Sequence, residues 1–345
     1  MWRRRMLKSL NWQDSLRESL SALKERKLYR ALERVESPAG ASIQIEGKSF
    51  LNFSSNNYLG LANHPTVKKA ASQAALKWGA GSGASRLISG GLRIHHDLER
   101  KIARFKKEES ALLFSSGYLA NLGAVTALMS EKDLVLLDRL NHASLIDASR
   151  LSKAKFWVYP HKDAAALGRL LERAKNFEKK LVVTDAYFSM DGDIAPLDQL
   201  LEVCERYQAM LMIDEAHSTG VFGMNGSGLA EHFGLSGKIH VVMGTLSKAL
   251  GSVGGFIAGK NVLREYLINR SREFIYTTAL APAASGAALA AIRVIESKPL
   301  LREKYWEKIL QVREGLKALG FNLLGSEGPI IPILIGDTEK TMRMK

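Results

Sequence analysis

Seven short apolar segments alternate with helix-like stretches along this chain, and their alternation constrains the fold more than any other feature. The segments are residues 111–114, 134–137, 156–159, 181–184, 210–213, 241–243 and 255–258. Most lack the alternation of apolar and polar residues that marks a strand with one face in water. They therefore favour strands covered on both faces, as in a parallel sheet. Strands that alternate with helices indicate an α/β fold.

Three stretches carry apolar residues at helical spacing. They are a segment near the N-terminus, a segment running from about Leu92 to Lys106, and a segment that follows Pro196. We expect each to form an amphipathic helix. The residues that define the three faces are Trp12, Leu16, Leu20 and Leu23; Ile94, Leu98, Ile102 and Phe105; and Leu197, Leu200, Leu201 and Cys204, the last set facing inward.

Polar residues follow most of the apolar segments. Ligands bind beyond the carboxyl ends of the strands in open α/β sheets, so these residues are expected to form a site together. The residues concerned are 115–118, Asp138, Asn141 and His142, 185–189, 214–217 and 245–248.

Lys248 and Asp214 are the most informative members of this set. Lys248 lies among small residues in 244–251, where a ligand can approach closely and a lysine can form a Schiff base with a carbonyl cofactor. A surface lysine in a turn is the common alternative. Asp214 ends the fifth apolar segment, where a carboxylate could pair with a protonated pyridine nitrogen. Capping of a helix is its alternative role.

Two histidines and a glycine turn complete the candidate site. His217 could reach a phenolic oxygen on such a ring, and His142 could stack on its face, although a capping or buried structural histidine is the alternative. Residues 115–118 precede a helix-like stretch from Leu119 to Met129. A strand–glycine–helix junction presents free N–H groups and the positive end of the helix dipole to a phosphate, although an ordinary turn has the same pattern.

Charge and composition restrict the partners. The net charge of +14 would attract anions, but the basic residues are spread along the chain rather than clustered. No apolar run approaches the ~18 residues that cross a bilayer, and polar residues interrupt any secretory signal after the basic start. We expect neither nucleic acid nor a membrane as partner. The single cysteine, Cys204, fits a reducing cytoplasm without excluding other compartments.

Two motifs resemble those of nucleotide-hydrolysing enzymes. Residues 214–217 spell the Asp-Glu-Ala-His box of a helicase family, and 254–260 fit most of a P-loop. However, Asn261 lies where Mg²⁺ binding requires Ser or Thr, and the two motifs occur in the reverse order. Residues 255–258 fit a strand better. No paired cysteines or histidines have metal-ligand spacing, so we expect no metal.

Taken together, these segments resemble the α-oxoamine synthase family of enzymes that depend on pyridoxal 5′-phosphate (PLP). The resemblance runs from about Trp12 to Asp337. It implies the aspartate-aminotransferase-like fold (fold type I): a large domain with a mostly parallel seven-stranded sheet and a small α+β domain. The motifs that carry it are residues 28–30, 52–60, 79–86, 140–144, 188–192, 214–217 and 244–251.

The resemblance implies a role for each matching residue. Lys248 would carry PLP and later move the Cα proton of the substrate, and Asp214 would keep the pyridine nitrogen protonated. His217 and Ser189 would contact the ring hydroxyl, and His142 would stack on the ring. The other implied residues are Gly117, Tyr118 and Thr245 for the phosphate, Thr278 for the phosphate of the neighbouring subunit in a homodimer with shared sites, and Arg30 and Asn56 for the substrate.

Within the family, residues 84–90 and 274–280 most resemble the member that acts in biotin synthesis. The implied reaction joins L-alanine to pimeloyl-CoA, or to a pimeloyl carrier protein, and yields 8-amino-7-oxononanoate, carbon dioxide and free CoA. Glycine C-acetyltransferase, which joins glycine to acetyl-CoA, is the nearest alternative. A different PLP reaction such as transamination, and an inactive PLP-binding fragment, are the alternatives of other classes.

The resemblance also divides the chain. Residues 1–55 form an N-terminal helix and a segment that joins the small domain, 56–285 form the large PLP-binding domain, and 286–345 start the C-terminal small domain. The family continues with a segment that contains an arginine for the substrate carboxylate. We therefore expect an incomplete small domain and poor activity of the chain as given.

Overall fold

A computed structural model describes residues 11–344 of the chain. Its strands are β1 (Ser42–Ile45), β2 (Lys48–Leu51), β3 (Ser110–Phe114), β4 (Leu134–Asp138), β5 (Lys155–Tyr159), β6 (Lys180–Asp185), β7 (Met210–Asp214), β8 (Val241–Thr245) and β9 (Gly255–Gly259). Its α-helices are α1 (Trp12–Glu25), α2 (Pro65–Trp78), α3 (Arg93–Lys106), α4 (Gly117–Leu128), α5 (Ala143–Leu151), α6 (Ala164–Arg173), α7 (Leu197–Arg206), α8 (Leu229–His232), α9 (Asn261–Arg270), α10 (Arg272–Ile275), α11 (Pro282–Ser297), α12 (Pro299–Ala318) and α13 (Thr338–Met344).

The central sheet has seven strands in the order β3-β9-β8-β7-β6-β4-β5. Strands β8, β7, β6, β4 and β5 run parallel, whereas β9 runs antiparallel to both of its neighbours. All seven predicted strands are confirmed, as is the mostly parallel sheet. Because Gly255–Gly259 form β9, the prediction of a strand rather than a P-loop in this segment is confirmed.

Both faces of the sheet are covered, which explains why the strands lack alternation. In β4, Leu134 and Leu136 pack into a core cluster that includes residues of α3, α7 and α11. Val135 and Leu137 point to the other face and pack with residues of α4 and α5. Since each such side chain stabilises the fold by about 1.5–3 kcal/mol when fully buried, every position of the strand favours an apolar residue.

The three predicted amphipathic helices form, but they differ in what covers them. The apolar residues of α3 and α7 are buried, as expected. In α1, by contrast, Trp12, Leu16, Leu20 and Leu23 are all exposed. The periodicity therefore predicted the helix correctly without showing what its apolar face contacts.

The N-terminal and C-terminal segments lie outside the large sheet. Strands β1 and β2 pair as a separate antiparallel hairpin. The segment after α12 attaches to the turn that follows β6, because Glu327 donates its N–H to the carbonyl of Gly192 at 2.7 Å and Ile330 donates to the Tyr187 hydroxyl at 3.0 Å. The predicted domain boundaries stay a prediction. Across residues 11–344, no helix has the length and apolar character needed to cross a membrane.

Candidate active site

Strand pairing brings the carboxyl ends of four strands, β3, β6, β7 and β8, and the start of β9 to one edge of the sheet. Asp185 at the end of β6 pairs with Asp214 at the end of β7. Thr245 at the end of β8 lies opposite Gly255 of β9, and Gly255 lies opposite Phe114, the last residue of β3. The residues that follow β3, β6, β7 and β8 are therefore neighbours, as the α/β pattern predicted.

Lys248 lies in a tight turn just after β8, and its amine contacts a histidine. Its Nζ is 2.6 Å from Nε2 of His217, and Nδ1 of the same ring is 2.6 Å from the hydroxyl of Tyr58. The turn closes at Gly251, with φ at 59°, where an added Cβ would lie 2.3 Å from the backbone nitrogen of Ala62. Only glycine lets the Lys248 turn pack against the segment that follows Tyr58.

Burial shifts the pKa values of both groups in this contact. Burial lowers the pKa of Lys248 from its ordinary value, while the carboxyl groups of Asp214 and Asp185 oppose that shift. Burial, together with the charges of Lys248 and His142, lowers the pKa of His217 to about 3. The imidazole of His217 is therefore neutral at pH 7 and has one nitrogen free to accept a proton.

Asp214 is held in place from two sides. Its Oδ1 accepts the N–H of Ala216 at 2.8 Å, and its Oδ2 accepts from the side-chain amide of Asn121 at 2.8 Å. The same amide nitrogen is 2.8 Å from the Ser144 hydroxyl, which lies 2.7 Å from Nδ1 of His142. A line of hydrogen bonds thus connects two residues of the predicted catalytic set, Asp214 and His142.

His142 has the capping role that was its alternative interpretation. Its Nδ1 accepts the N–H of Ser144 at 3.2 Å at the start of α5. The residue is nevertheless exposed, so capping leaves the ring accessible. Its own N–H donates to Oδ2 of Asp185 at 2.7 Å. Burial, followed by the nearby Asp214 carboxylate, raises the pKa of Asp185 well above its ordinary value.

The start of α4 forms a cradle beside the end of β8. Ser116 caps the helix by accepting the N–H of Leu119 at 3.1 Å. A Cβ on Gly117 would lie 3.4 Å from the Thr245 hydroxyl, and a Cβ on Gly255 would lie 2.5 Å from the Ser116 carbonyl oxygen. Glycine at both positions lets the helix N-terminus approach the sheet edge. Because the first N–H groups of a helix lack intrahelical partners, they can bind an anion there.

Three other predicted cofactor residues lie near this edge. Tyr118 is in the first turn of α4 and donates its hydroxyl proton to Asp147. Thr278 is exposed, and its carbonyl accepts from the Ser115 hydroxyl at 3.4 Å, just before α4. Ser189 is half-buried in the turn that follows β6. Their positions are compatible with the predicted roles, which stay predictions.

The two predicted substrate residues differ in how they relate to the site. The amide oxygen of Asn56 accepts from the Tyr58 hydroxyl at 3.5 Å, which places Asn56 beside the His217 contact. Arg30 lies in an exposed coil after α1. Among the hydrogen bonds of the described residues, none joins Arg30 to the groups around Lys248.

Tyr58 and Asn121 are site residues that the sequence did not single out. Tyr58 belongs to the quoted motif 52–60, but nothing in that motif indicates a contact with His217. Asn121 had a detectable signal, because it lies four residues after Gly117 and therefore on the same face of α4.

Comparisons with known proteins identify the family. The model of the family described as aminotransferase class I and II matches residues 48–345. The 8-amino-7-oxononanoate synthase of Thermoanaerobacter pseudethanolicus is 46% identical over 97% of this chain and 85% of its own length. The enzyme of the same name from Treponema denticola is 48% identical over 95% of this chain and 84% of its own length. The chain belongs to the aminotransferase class I and II family.

Solved structures of this family agree with the fold. A serine palmitoyltransferase from S. paucimobilis with a bound PLP–myriocin adduct has a TM-score of 0.89 at 33% identity, covering 97% of this chain and 88% of that one. An 8-amino-7-oxononanoate synthase from Francisella tularensis has a TM-score of 0.73 at 31% identity, covering 85% of this chain and 83% of that one. The predicted fold type I architecture is confirmed.

Proposed function

We propose that this chain catalyses the PLP-dependent condensation of L-alanine with pimeloyl-CoA, or with a pimeloyl carrier protein. The products are 8-amino-7-oxononanoate, carbon dioxide and the free thiol carrier. The similarity to two enzymes of that name over nearly the whole chain supports the choice of reaction. The observation that carries the proposal is the contact of Lys248 with His217, on the sheet edge where Asp214 ends β7.

The polar groups of this edge fit PLP by their chemistry. An amine is present for its aldehyde, a fixed carboxylate for its pyridine nitrogen, and a glycine-lined helix N-terminus for its phosphate. A Cβ at Gly117 would lie 3.0 Å from the methyl carbon of the Met243 side chain, so glycine at this position leaves room between the start of α4 and the end of β8. When bound, PLP supplies an electron-withdrawing ring that takes up negative charge from the Cα of the amino acid.

The residues of the chain would hold the cofactor by distinct contacts. The backbone N–H groups of Gly117 and Tyr118 and the hydroxyl of Thr245 would bind the phosphate, where the dipole of α4 favours negative charge. The carboxylate of Asp214, fixed by Asn121 and by the backbone, would keep a proton on the pyridine nitrogen. Ser189 would contact the ring hydroxyl.

Lys248, His217 and His142 would carry the remaining chemistry. The lowered pKa of Lys248, caused by burial, leaves more of its amine unprotonated near neutral pH. That amine can take the proton from the Cα of alanine, since a base is most effective when its pKa lies near the working pH. His217, whose pKa is lowered to about 3 by burial and by the charges of Lys248 and His142, would accept a hydrogen bond from the cofactor hydroxyl. His142 would cover the ring with its accessible imidazole.

A homodimer would complete the site. The resemblance implies that Thr278 serves the phosphate of the neighbouring subunit, while Arg30 and Asn56 bind substrate. Exposed apolar side chains in the motif-bearing loop, Leu87 at 49% and Ile88 at 81% exposure, support a surface that a partner covers. The cytoplasm is the expected compartment.

The nearest competing reaction is the condensation of glycine with acetyl-CoA. The purified chain with PLP should develop a visible absorbance band, which Lys248→Ala should lack while remaining folded. L-alanine should change that band at lower concentration than glycine. Release of CoA should be faster with L-alanine and pimeloyl-CoA than with glycine and acetyl-CoA. The reverse preference would favour the glycine reaction, and a lasting change of the band without consumption of thioester would favour transamination.

A further inference from the structure

Tyr58 has no role in the proposed reaction, yet it is hydrogen-bonded to His217, which in turn contacts Lys248. Its hydroxyl is 2.6 Å from Nδ1 of His217, whose Nε2 is 2.6 Å from Nζ of Lys248. The amide oxygen of Asn56 accepts from the same hydroxyl at 3.5 Å. The neutral imidazole is therefore held between a tyrosine and a lysine, and its single proton must lie on one of its two nitrogens.

Two proton arrangements satisfy this geometry. In the first, Lys248 donates to Nε2 as an ammonium group or as an unprotonated amine, the Nδ1–H of His217 donates to the Tyr58 oxygen, and Tyr58 donates to Asn56. In the second, Tyr58 donates to Nδ1 and the Nε2–H donates to an unprotonated Lys248. Because an ammonium group has donors only, a protonated Lys248 is compatible with the first arrangement alone, whereas an unprotonated amine can donate or accept and is compatible with either.

The first arrangement is favoured in the cofactor-free chain because it is compatible with both protonation states of Lys248. Burial lowers the pKa of Lys248, and the carboxyl groups of Asp214 and Asp185 oppose that shift without reversing it. His142 is the other titratable group whose charge acts on His217, and it disfavours a second proton on that ring. His217 therefore stays singly protonated, and its free Nε2 can accept from Lys248 in either protonation state of the lysine.

The surroundings of Tyr58 also favour the first arrangement, in which His217 carries its proton on Nδ1. Burial raises the pKa of Tyr58 above its ordinary value, so the phenol keeps its proton and can donate it to Asn56. Tyr305 of α12 lies beside it, with ring centroids 6.5 Å apart, and the ring centroids of Tyr58 and His217 are 6.1 Å apart. The Tyr58 oxygen is then free to accept the Nδ1–H of His217.

We propose that Tyr58 is a positioning residue that fixes the tautomer of His217, holding its proton on Nδ1 and directing the lone pair of Nε2 at Lys248. The inference rests on the proposed function only in assigning Lys248 as the reactive lysine. The consequence is that the proton of Lys248 has a defined acceptor, and that loss of Tyr58 weakens the ammonium form of Lys248.

The tautomer can be measured without any cofactor. The full chain is labelled with ¹⁵N-histidine and freed of PLP, and its imidazole signals are recorded at pH 7, with His217→Gln used to assign the signal. We expect His217 to carry its proton on Nδ1 in the parent chain. In Tyr58→Phe, loss of one hydrogen bond should raise the proportion of the Nε2–H form by about fivefold. Tyr305→Phe, the matched control, should leave the tautomer unchanged.

A second readout reports on Lys248 itself. The pH dependence of acylation of Lys248 by an amine reagent, followed by peptide mass spectrometry, gives its pKa in each variant. Tyr58→Phe should lower that pKa by about half to one pH unit, and Tyr305→Phe should not. A parent signal with the proton on Nε2, or equal effects of the two variants, overturns the proposal. A parent that binds no PLP yet shows the expected tautomer shift overturns the proposed function alone.

Discussion

The buried ion pair between Lys106 and Glu215 lies directly behind the site and should control its stability. Lys106, the last residue of α3, has its Nζ 2.5 Å from Oε2 of Glu215 and 2.7 Å from the Thr219 hydroxyl, and it also donates to the Ser227 carbonyl. The side chains of Lys106 and Glu215 are 2% and 0% exposed. Glu215 adjoins Asp214 in sequence, so this pair anchors the loop that carries His217.

We expect Lys106→Met to destabilise the chain strongly. Methionine keeps much of the apolar stem but removes the charge and its three hydrogen bonds, leaving Glu215 as an unpaired buried carboxylate. Breaking one side of a buried pair costs about 3–5 kcal/mol. A loss of that size is a large part of the free energy of unfolding of a typical folded protein, which is about 5–15 kcal/mol. The midpoint of thermal unfolding, followed by circular dichroism, should fall by about 10 °C.

Lys101→Met provides the matched control on the same helix. Its Nζ lies 2.5 Å from Glu296, but the two side chains are 24% and 36% exposed, so the pair should contribute about 0–1 kcal/mol. Adding Glu215→Gln to Lys106→Met removes the unpaired charge while keeping an acceptor for the N–H of Ala230, and should recover part of the loss. Equal effects of the two single Lys→Met changes would show that burial does not make the Lys106–Glu215 pair more important to stability than the exposed Lys101–Glu296 pair.

Three further results are expected. Gly255→Ala would place a Cβ 2.5 Å from the carbonyl oxygen that precedes α4 and should weaken PLP binding about tenfold or more, measured by absorbance titration. Asp214→Asn removes a charge-assisted contact worth about 1.5–3 kcal/mol and should lower the rate of CoA release about 10- to 150-fold. Burial lowers the pKa of His161, but its hydrogen bonds to Asp138 and Asp193, each 2.9 Å long, outweigh burial and raise it. Its stabilising effect should be complete below about pH 6.5 and be lost as the pH rises through the raised pKa, so His161→Gln should lower the unfolding midpoint more at about pH 6 than at about pH 9.

Each of these results has an outcome that contradicts it. Gly315→Ala is the control, because its added Cβ meets nothing within 4 Å. If Gly315→Ala and Gly255→Ala lost PLP affinity equally, the close approach of Gly255 to the start of α4 would not be what PLP binding depends on. Unchanged turnover in Asp214→Asn would show that its carboxylate does not act on the cofactor. If His161→Gln lowered the unfolding midpoint more at high pH than at low pH, the pKa of His161 would not be raised in the folded chain.

Strand positions were predictable because a strand that is buried on both faces appears in the sequence as a short run of consecutive apolar residues. Leu134 to Leu137 are all apolar because successive residues pack into two different cores. Since parallel strands end at one edge, the neighbourhood of Asp214 and Lys248 followed from the same pattern. The length of chain between these two residues did not matter for that prediction.

Side-chain contacts between distant segments were not predictable in this way. The Tyr58–His217 hydrogen bond joins residues 159 positions apart, and it depends on how the turn at Gly251 packs against Ala62. The exposed face of α1 is a similar case, because periodicity reports an apolar face but not its partner. The position of Asn121 was predictable in part. Helical spacing places it on the same face of α4 as Gly117, but it does not show that its side chain donates a hydrogen bond to Asp214.

Reductive trapping shows which lysine forms the covalent bond to PLP, and we expect it to be Lys248. The full chain is incubated with PLP, reduced with borohydride, digested, and examined by peptide mass spectrometry. We expect the added mass of the reduced cofactor on the peptide that contains Lys248, and its absence in Lys248→Ala. Stoichiometric attachment to another lysine, or none in a folded chain, would contradict the assignment of the site.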